Sequence, residues 1–388
     1  MKLSRRRFIG GALAAFAALH GFMPRQGLSA ERRQAKLRIL ILGGTGFLGP
    51  HTVRAALARG HELTLFNRGK TNPGLFADVE SLRGDRDGDL EALAGRNWDA
   101  VIDNSGYVPR IVGDSARLLA QRVRQYVFIS SVSVYADFST PGADESAPLG
   151  RLDDKSIEEI TGETYGPLKA LSERAAEAEM PGRVTVIRPG LIVGPGDPTD
   201  RFTYWPVRVA RGGEVLAPGD PATPVQLIDV RDLGAWIVHC VEARVLGVYN
   251  ALSPAGALSM GDLLEACRDA AGSDARFTWV DAAFLEAQGV AAWSDLPVWL
   301  PAEGEYAGSG RTSAAKAVAA GLGFRPLRTT AADTLAWWQA ERAGDVGCGP
   351  VSTRRTSARY SKPGMKAGSP AEQRAGTRLL PTWFELPV

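Results

Sequence analysis

Apolar positions in this chain fall in short runs separated by glycine, proline and charged residues. Leu37-Arg38-Ile39-Leu40-Ile41-Leu42 is a nearly continuous apolar run, the pattern of a strand buried on both faces of a parallel sheet. A glycine-rich turn follows from Gly43 to Gly49, then a helical stretch over 50–59 that Gly60 ends. Strand patterns recur at 62–66, 79–83, 100–103, 126–129 and 184–188, most of them separated by helical stretches. Strands alternating with helices predict an α/β fold, a doubly wound parallel sheet with helices on both faces.

Beyond Pro189 the pattern changes. Gly194-Pro195-Gly196-Asp197-Pro198 and Tyr204-Trp205-Pro206 suggest loops that shape a pocket in place of regular sheet. Residues 225–250 return to the earlier style, with a short strand, a helix at 231–242 and a strand at 247–250. Amphipathic helices are expected at 259–271 and 329–342. The domain reading is therefore a nucleotide-binding part over 36–190 and a smaller, mainly substrate-binding part over 191–343, with 225–250 rejoining the main sheet. Residues 344–388, rich in Gly, Pro, Ser, Thr and Arg without periodicity, read as a loosely ordered tail.

Composition changes this picture little. The 388 residues are 45% hydrophobic and 23% charged, ordinary for a globular protein with ample core. A net charge of +2 gives no general basic surface, so no nucleic-acid partner is expected. Cys240, Cys267 and Cys348 are odd in number and lack CxxC spacing; buried thiols are expected, without a disulfide framework or zinc site. His51, His61 and His239 show no metal-ligand spacing.

The first thirty residues stand apart. Ser4-Arg5-Arg6-Arg7-Phe8-Ile9 precedes a weakly apolar Gly/Ala-rich run that closes in Leu28-Ser29-Ala30. The arginine pair before Phe-Ile resembles the twin-arginine export signal, and the small residues suit cleavage ahead of Glu31. Residues 1–30 are thus expected to be a signal peptide read by the twin-arginine export machinery, which places the mature chain in the periplasm or otherwise outside the cytoplasm.

Gly43-Gly44-Thr45-Gly46-Phe47-Leu48-Gly49 follows a strand and opens a helix. Glycines there permit unusual backbone angles and close approach to a pyrophosphate, which the helix N-terminus attracts. An acid at the end of the second strand would hold a free ribose 2′-hydroxyl. Asn67-Arg68, with Lys70 close behind, stands there instead and suits a 2′-phosphate, favouring NADP over NAD. Asp85 is placed to meet the adenine amine, and Asn104-Ser105-Gly106 to pass the cofactor ribose. Tyr165 and Lys169, four residues apart on one helix face, offer a phenol and a cation that lowers its pKa. Phe128-Ile129-Ser130-Ser131 places hydroxyls at the carboxyl end of a strand, where ligands bind in such sheets. Ser131 is the candidate donor to the reacting oxygen, with Ser133 in reserve.

The glycine turn, Ser130-Ser131 with Val134-Tyr135, Tyr165 with Lys169, Arg188-Pro189 and Gly194-Pro195 together resemble the extended short-chain dehydrogenase family, which includes NAD-dependent epimerases and dehydratases. The resemblance covers roughly residues 37–340. It implies a Rossmann domain with a smaller C-terminal substrate domain. It also implies roles for Ser131, Tyr165 and Lys169 as hydrogen-bond donor, acid/base and pKa-lowering cation, and a cofactor contact at Pro189. Tyr204, Trp205, Gln226 and Arg201 lie where that family gathers substrate contacts, and homodimers through the helices beside the tyrosine are common in it. Val132-Ser133 stands where dehydrating members carry an acidic pair, which disfavours dehydration. The long step from Ser131 to Tyr165, with Asp144, Glu145, Asp153 and Asp154, suggests a lid. Asn67-Arg68 is similar to a branch with reductases and chloroplast stem-loop-binding proteins. The functional expectation is an NAD(P)-dependent oxidoreductase or epimerase acting on a secondary alcohol or ketone, on a sugar-like substrate. The alternative is a non-catalytic nucleotide-binding protein of the same fold, used for RNA or partner binding. Export adds that the cofactor should stay bound, since little free nicotinamide cofactor exists outside the cytoplasm.

Overall fold

The computed structural model describes residues 35–342; the expected signal peptide and the expected tail lie outside the described residues. The first apolar run forms β1 (Arg38–Leu42), of which all but the first residue are buried. The glycine turn leads into α1 (Leu48–Ala58), then β2 (Glu62–Asn67), β3 (Glu80–Arg83), β4 (Ala100–Asp103), α2 (Pro109–Leu119), β5 (Gln125–Ile129), α3 (Tyr165–Glu179) and β6 (Val184–Pro189). After β7 (Leu191–Val193), α4 (Tyr204–Ala210), β8 (Glu214–Pro218), β9 (Leu227–Asp229) and α5 (Val230–Glu242), β10 (Gly247–Ala251) joins the main sheet. That sheet has seven strands in the order β10-β6-β5-β4-β1-β2-β3, and every pairing is parallel. The fold is α/β and Rossmann-like. Strand order reverses between β1 and β4, so the loops leaving their carboxyl ends part there and open a crevice.

Two apolar layers sandwich the sheet. On one face, Val53 and Ala56 of α1 and Leu233, Trp236 and Ile237 of α5 pack on Ile39, Ile41 and Ile102. On the other, Val112 and Ala116 of α2 and Ala176 of α3 pack on Leu40, Val101 and Phe128. Alternate strand residues feed opposite layers, as the two-residue period of a strand requires.

A separate core forms around Phe202 and Trp205, with α6 (Met260–Ala271), β11 (Arg276–Val280), α7 (Ala282–Ala287) and α9 (Leu327–Glu341) around it, while the short α8 (Ala315–Ala319) packs on the main body. Here the structure corrects the sequence reading. Residues 191–193 are a strand paired in parallel with β9, 204–210 are helical, and β8 pairs with β11. Strands of three residues are too short for periodicity to register, and tertiary pairing decides them. Trp205 is fully buried and donates Nε1–H to the Pro297 carbonyl at 2.7 Å. Cys240 and Cys267 are buried free thiols, with burial holding the Cys240 thiol up to about 12.

The expected lid is partly tied down. Gly150 N–H donates to Val134 O, Ala136 N–H to Pro148 O, and Asn250 N–H to the Glu145 carboxylate. Asp144 and Asp154 cap their own turns through Ser146 and Ser156.

The tightest fit in the nucleotide turn is at Gly49, where a Cβ would lie 2.5 Å from the backbone of Gly44. Gly49→Ala should therefore destabilise the protein by about 1–3 kcal/mol through overpacking, read as a lower urea midpoint; an unchanged midpoint would contradict this account.

Candidate nucleotide-binding and reaction site

The crevice at the carboxyl ends of β1 and β4 opens into a cleft of about 1650 Å³. That exceeds the roughly 300–1,000 Å³ of single small-ligand pockets, leaving room for a dinucleotide and a second molecule. Every residue expected at the cofactor or reaction site lines it except Gly106. Gly106 lies behind the wall, where a Cβ would meet Phe128 at 2.6 Å; its carbonyl accepts from Lys169 Nζ at 2.7 Å.

The nucleotide half is built from backbone. Gly43 and Gly44 adopt φ of 101° and 98°, a region that disfavours side chains, and the turn delivers the first N–H groups of α1 to the cleft. Asn104 lines the same wall with both Nδ2 and Oδ1 buried and without a partner among the described residues. Buried amides are normally satisfied, so this side chain, beside a turn too tight for side chains, fits a bound dinucleotide. At the end of β2, Asn67 Oδ1 accepts from Gly69 N–H at 2.9 Å and from Arg83 Nη1 at 2.8 Å. Arg68 and Lys70 are exposed along the cleft rim. Asp85 lines the cleft and spends Oδ1 on Asp87 N–H.

The reaction half is built by the docking of α3 on the end of β5. Gly166 lets that helix approach: a Cβ there would stand 2.0 Å from the Ser133 carbonyl. Glu173, further along α3, takes both arms of Arg188 at 2.9 and 2.7 Å and accepts from Ser130 Oγ at 2.5 Å. Arg188 also donates to Tyr135 Oη, whose hydroxyl donates to Asn250 Oδ1. The result sets the Tyr165 hydroxyl beside Ser131, which pulls the phenol's pKa down, while Ser131 Oγ bridges to Ser133 Oγ at 3.1 Å.

Burial pushes the Tyr165 phenol above the ordinary range and Tyr107 adds to this; Ser131 and the Arg201 charge pull it back. Arg201 is thus one cation acting on the phenol. Lys169 donates Nζ to the carbonyls of Gly106 and Ile129 at 2.7 and 2.6 Å and lies over the rings of Tyr107 and Phe128. Burial brings its own pKa down to about 7, against the opposing pull of Asp103 and Glu173. Asp103 is wholly buried beneath it, paired to Arg86 at 2.6 and 2.8 Å and to the Tyr126 hydroxyl at 2.7 Å.

Of the expected substrate contacts, only Arg201 lines the cleft. Tyr204 and Trp205 pack in the second core, and Gln226 bonds the backbone of Ser253 and Thr312. Trp338 packs against Val207 and Leu335, whereas Trp337 reaches the cleft. Sequence reasoning missed Arg86, Tyr107 and Trp293; nothing in their local spacing marks them, because each meets the site only through tertiary packing.

A glycine turn at a sheet switch point, joined to a strand-end serine and a helix tyrosine, is the arrangement of an α/β protein of the extended short-chain dehydrogenase type. The chain belongs to the NAD dependent epimerase/dehydratase family, whose model matches residues 39–104 and 103–251. Epimerase family protein SDR39U1 of Bos taurus is 27% identical over 259 residues, spanning 62% of this chain and 82% of that protein. The solved human epimerase family protein SDR39U1 with NADPH matches at a TM-score of 0.54 and 22% identity, covering 77% of this chain and 99% of that one. MoeE5 in complex with UDP-glucose and NAD matches at a TM-score of 0.53 and 20% identity, over 78% and 99%. At such identities these structures speak to the fold alone.

Two outcomes follow from this geometry. Gly166→Ala should force α3 away from Ser133, costing about 1–3 kcal/mol of stability and moving Tyr165 away from Ser131; a variant as stable as the parent would refute the docking role. For Lys169, the folded pKa of about 7 lies below the ordinary ~10.4, so between those values the unfolded chain binds more protons. Stability relative to Lys169→Met should therefore rise with pH from about 7 to about 10, at up to about 1.4 kcal/mol per pH unit. Urea titrations of both proteins across that window check this, and a flat difference would count against it.

Proposed function

We propose that this chain moves hydride between a nicotinamide dinucleotide and a secondary alcohol or ketone of a sugar-like substrate, with Tyr165 as the acid/base. The observation that carries the reading is that Tyr165 and Ser131 line one cleft whose other half is the glycine turn. The nicotinamide supplies hydride acceptance and return. In the reducing direction Tyr165, kept as a neutral phenol by burial, gives its proton to the substrate oxygen as the carbon gains hydride. Ser131 donates a hydrogen bond to that oxygen, and the reverse sequence returns the proton to Tyr165. Lys169, anchored on two carbonyls, holds the wall beneath the ring and stands ready to meet ribose hydroxyls. Positioned proton transfer of this kind contributes about 10²–10⁴-fold to rate.

NADP is the favoured cofactor in this reading. Support comes from Arg68 and Lys70 on the rim and from Asn67 in place of an acid; the human relative solved with NADPH is consistent with it. A sugar-like substrate is supported by the MoeE5 complex with UDP-glucose. The twin-arginine-like residues 1–30 support export, and an exported enzyme needs a cofactor that is regenerated in place, by epimerisation or by paired oxidation and reduction.

The test has two parts. Denaturing the purified, processed protein should release NADP or NAD identifiable by mass. Tyr165→Phe should keep nucleotide binding while turnover on a panel of sugar alcohols, ketoses and UDP-glucose falls at least 100-fold. A variant with parental turnover removes Tyr165 as acid/base, and a chain that neither releases nor binds nicotinamide nucleotide overturns the whole reading.

A further inference from the structure

Buried arginines in this protein carry partners. Arg86 is paired with Asp103, Arg188 with Glu173, and the less buried Arg231 with Asp229 and Asp333. The physical reason is general: a charge withdrawn from water is costly unless an opposite charge meets it. Arg201 departs from this pattern. It is largely buried in the cleft wall, and among the described residues it forms no ion pair. Its one hydrogen bond runs from Nε to Thr199 Oγ1 at 3.0 Å. That bond and the Trp293 ring, 5.8 Å from the guanidinium carbon, fix the plane of the group and leave both Nη atoms without a bond to the described residues.

A second, independent vacancy lies beside it. Asp197 is 1% exposed and also lines the cleft. Its Oδ1 accepts from Thr199 N–H at 2.8 Å and Thr199 Oγ1 at 2.6 Å, but Oδ2 is buried with no partner among the described residues. Asp197 and Arg201 are thus joined through one threonine, each with unused capacity of opposite kind, an acceptor and a forked donor. The loop that carries them leaves β7 through Gly194 and Gly196, whose φ of 131° and 91° turn it back over the cleft. Arg201 acts electrostatically on Tyr165, so its charge lies on the reaction half of the cleft.

We propose that Arg201 and Asp197 form a recognition subsite for a substrate that carries an anionic group, a carboxylate or a phosphate, next to a hydroxyl close to the reacting carbon. Its placement beside that carbon rests on the reading of Tyr165 as acid/base. The Nη pair of Arg201 takes two oxygens of the anion in the forked geometry that carboxylates and phosphates share. Asp197 Oδ2 accepts from the neighbouring hydroxyl. Asp197 already acts on Arg201 electrostatically without an ion-pair contact; the ligand adds the hydrogen-bonded anion that the Nη pair lacks, and a neutral substrate of the same shape does not.

The experiment is calorimetric titration of the NADPH-loaded protein with three probes: D-glucuronate, glucose 1-phosphate and glucose. At least one anionic sugar should bind about 10- to 100-fold more tightly than glucose, the range expected for a charged hydrogen-bonded contact. Preference for glucuronate alone assigns a carboxylate, and preference for glucose 1-phosphate alone a phosphate. Arg201→Met should abolish the preference while NADPH affinity is kept, which also reports that the variant is folded, and Arg201→Lys should retain part of it. Equal binding of all three sugars, binding of none, or an Arg201→Met protein that keeps the preference overturns the proposal. So does a matching loss of NADPH affinity, which would assign Arg201 to the cofactor phosphates. Tyr165→Phe separates the two readings. If it turns over normally while the anion preference persists, the hydride-transfer assignment fails and the subsite stands; if it is inactive but no anion preference exists, only the subsite fails.

Discussion

The site depends on how closely α3 can lie against the end of β5. Two features of different kind set that distance. Gly166 removes the side chain that would collide with the Ser133 carbonyl, and the buried Glu173–Arg188 pair clamps the helix to β6. The clamp is directional, because a guanidinium and a carboxylate meet through two parallel hydrogen bonds in one plane. Its remaining capacity is spent on Ser130 and Tyr135, so the pair binds helix, strand end and following loop as one unit. Breaking such a pair leaves an uncompensated buried charge, which is why the geometry of Tyr165 and Ser131 is held from a helical turn or more away.

Charge placement beneath the cleft follows the same economy of pairing. Arg86, Asp103 and Tyr126 form a closed buried group, and Lys169 rests between that group and Glu173 with its ammonium on backbone carbonyls. The lysine is therefore held by the backbone of the cleft wall. Arg201, from the loop after β7, is a cation whose field reaches Tyr165. Two parts of the chain, one from the sheet and one from the second core, thus share control of a single hydroxyl.

How much of this was legible depends on the range of the interaction. The parallel sheet, the glycine turn and the approximate bounds of α1, α5 and α6 were readable because burial on two faces and helical periodicity leave local patterns. Ser131, Tyr165 and Lys169 were legible through the order in which their motifs occur, and the cleft does gather them. The β7–β9 and β8–β11 pairings were not, since residues 191–193 pair with 227–229 across a long separation. Tyr204, Trp205 and Gln226 were misplaced for a related reason: an aromatic or amide in a loop-rich stretch reads the same whether it faces a ligand or a core.

The sequence by itself determined the strand-and-helix alternation, the backbone freedom of Gly43 and Gly44, and the presence of a phenol and an ammonium one helical turn apart. These are properties of residue type and spacing, and the fold inherits them directly. Tertiary structure alone decided which cations lie near that phenol, which glycine sets the docking distance, and which largely buried arginine forms no ion pair among the described residues. Those outcomes depend on electrostatic and steric encounters between residues tens of positions apart, and distance along a chain carries no record of distance through space.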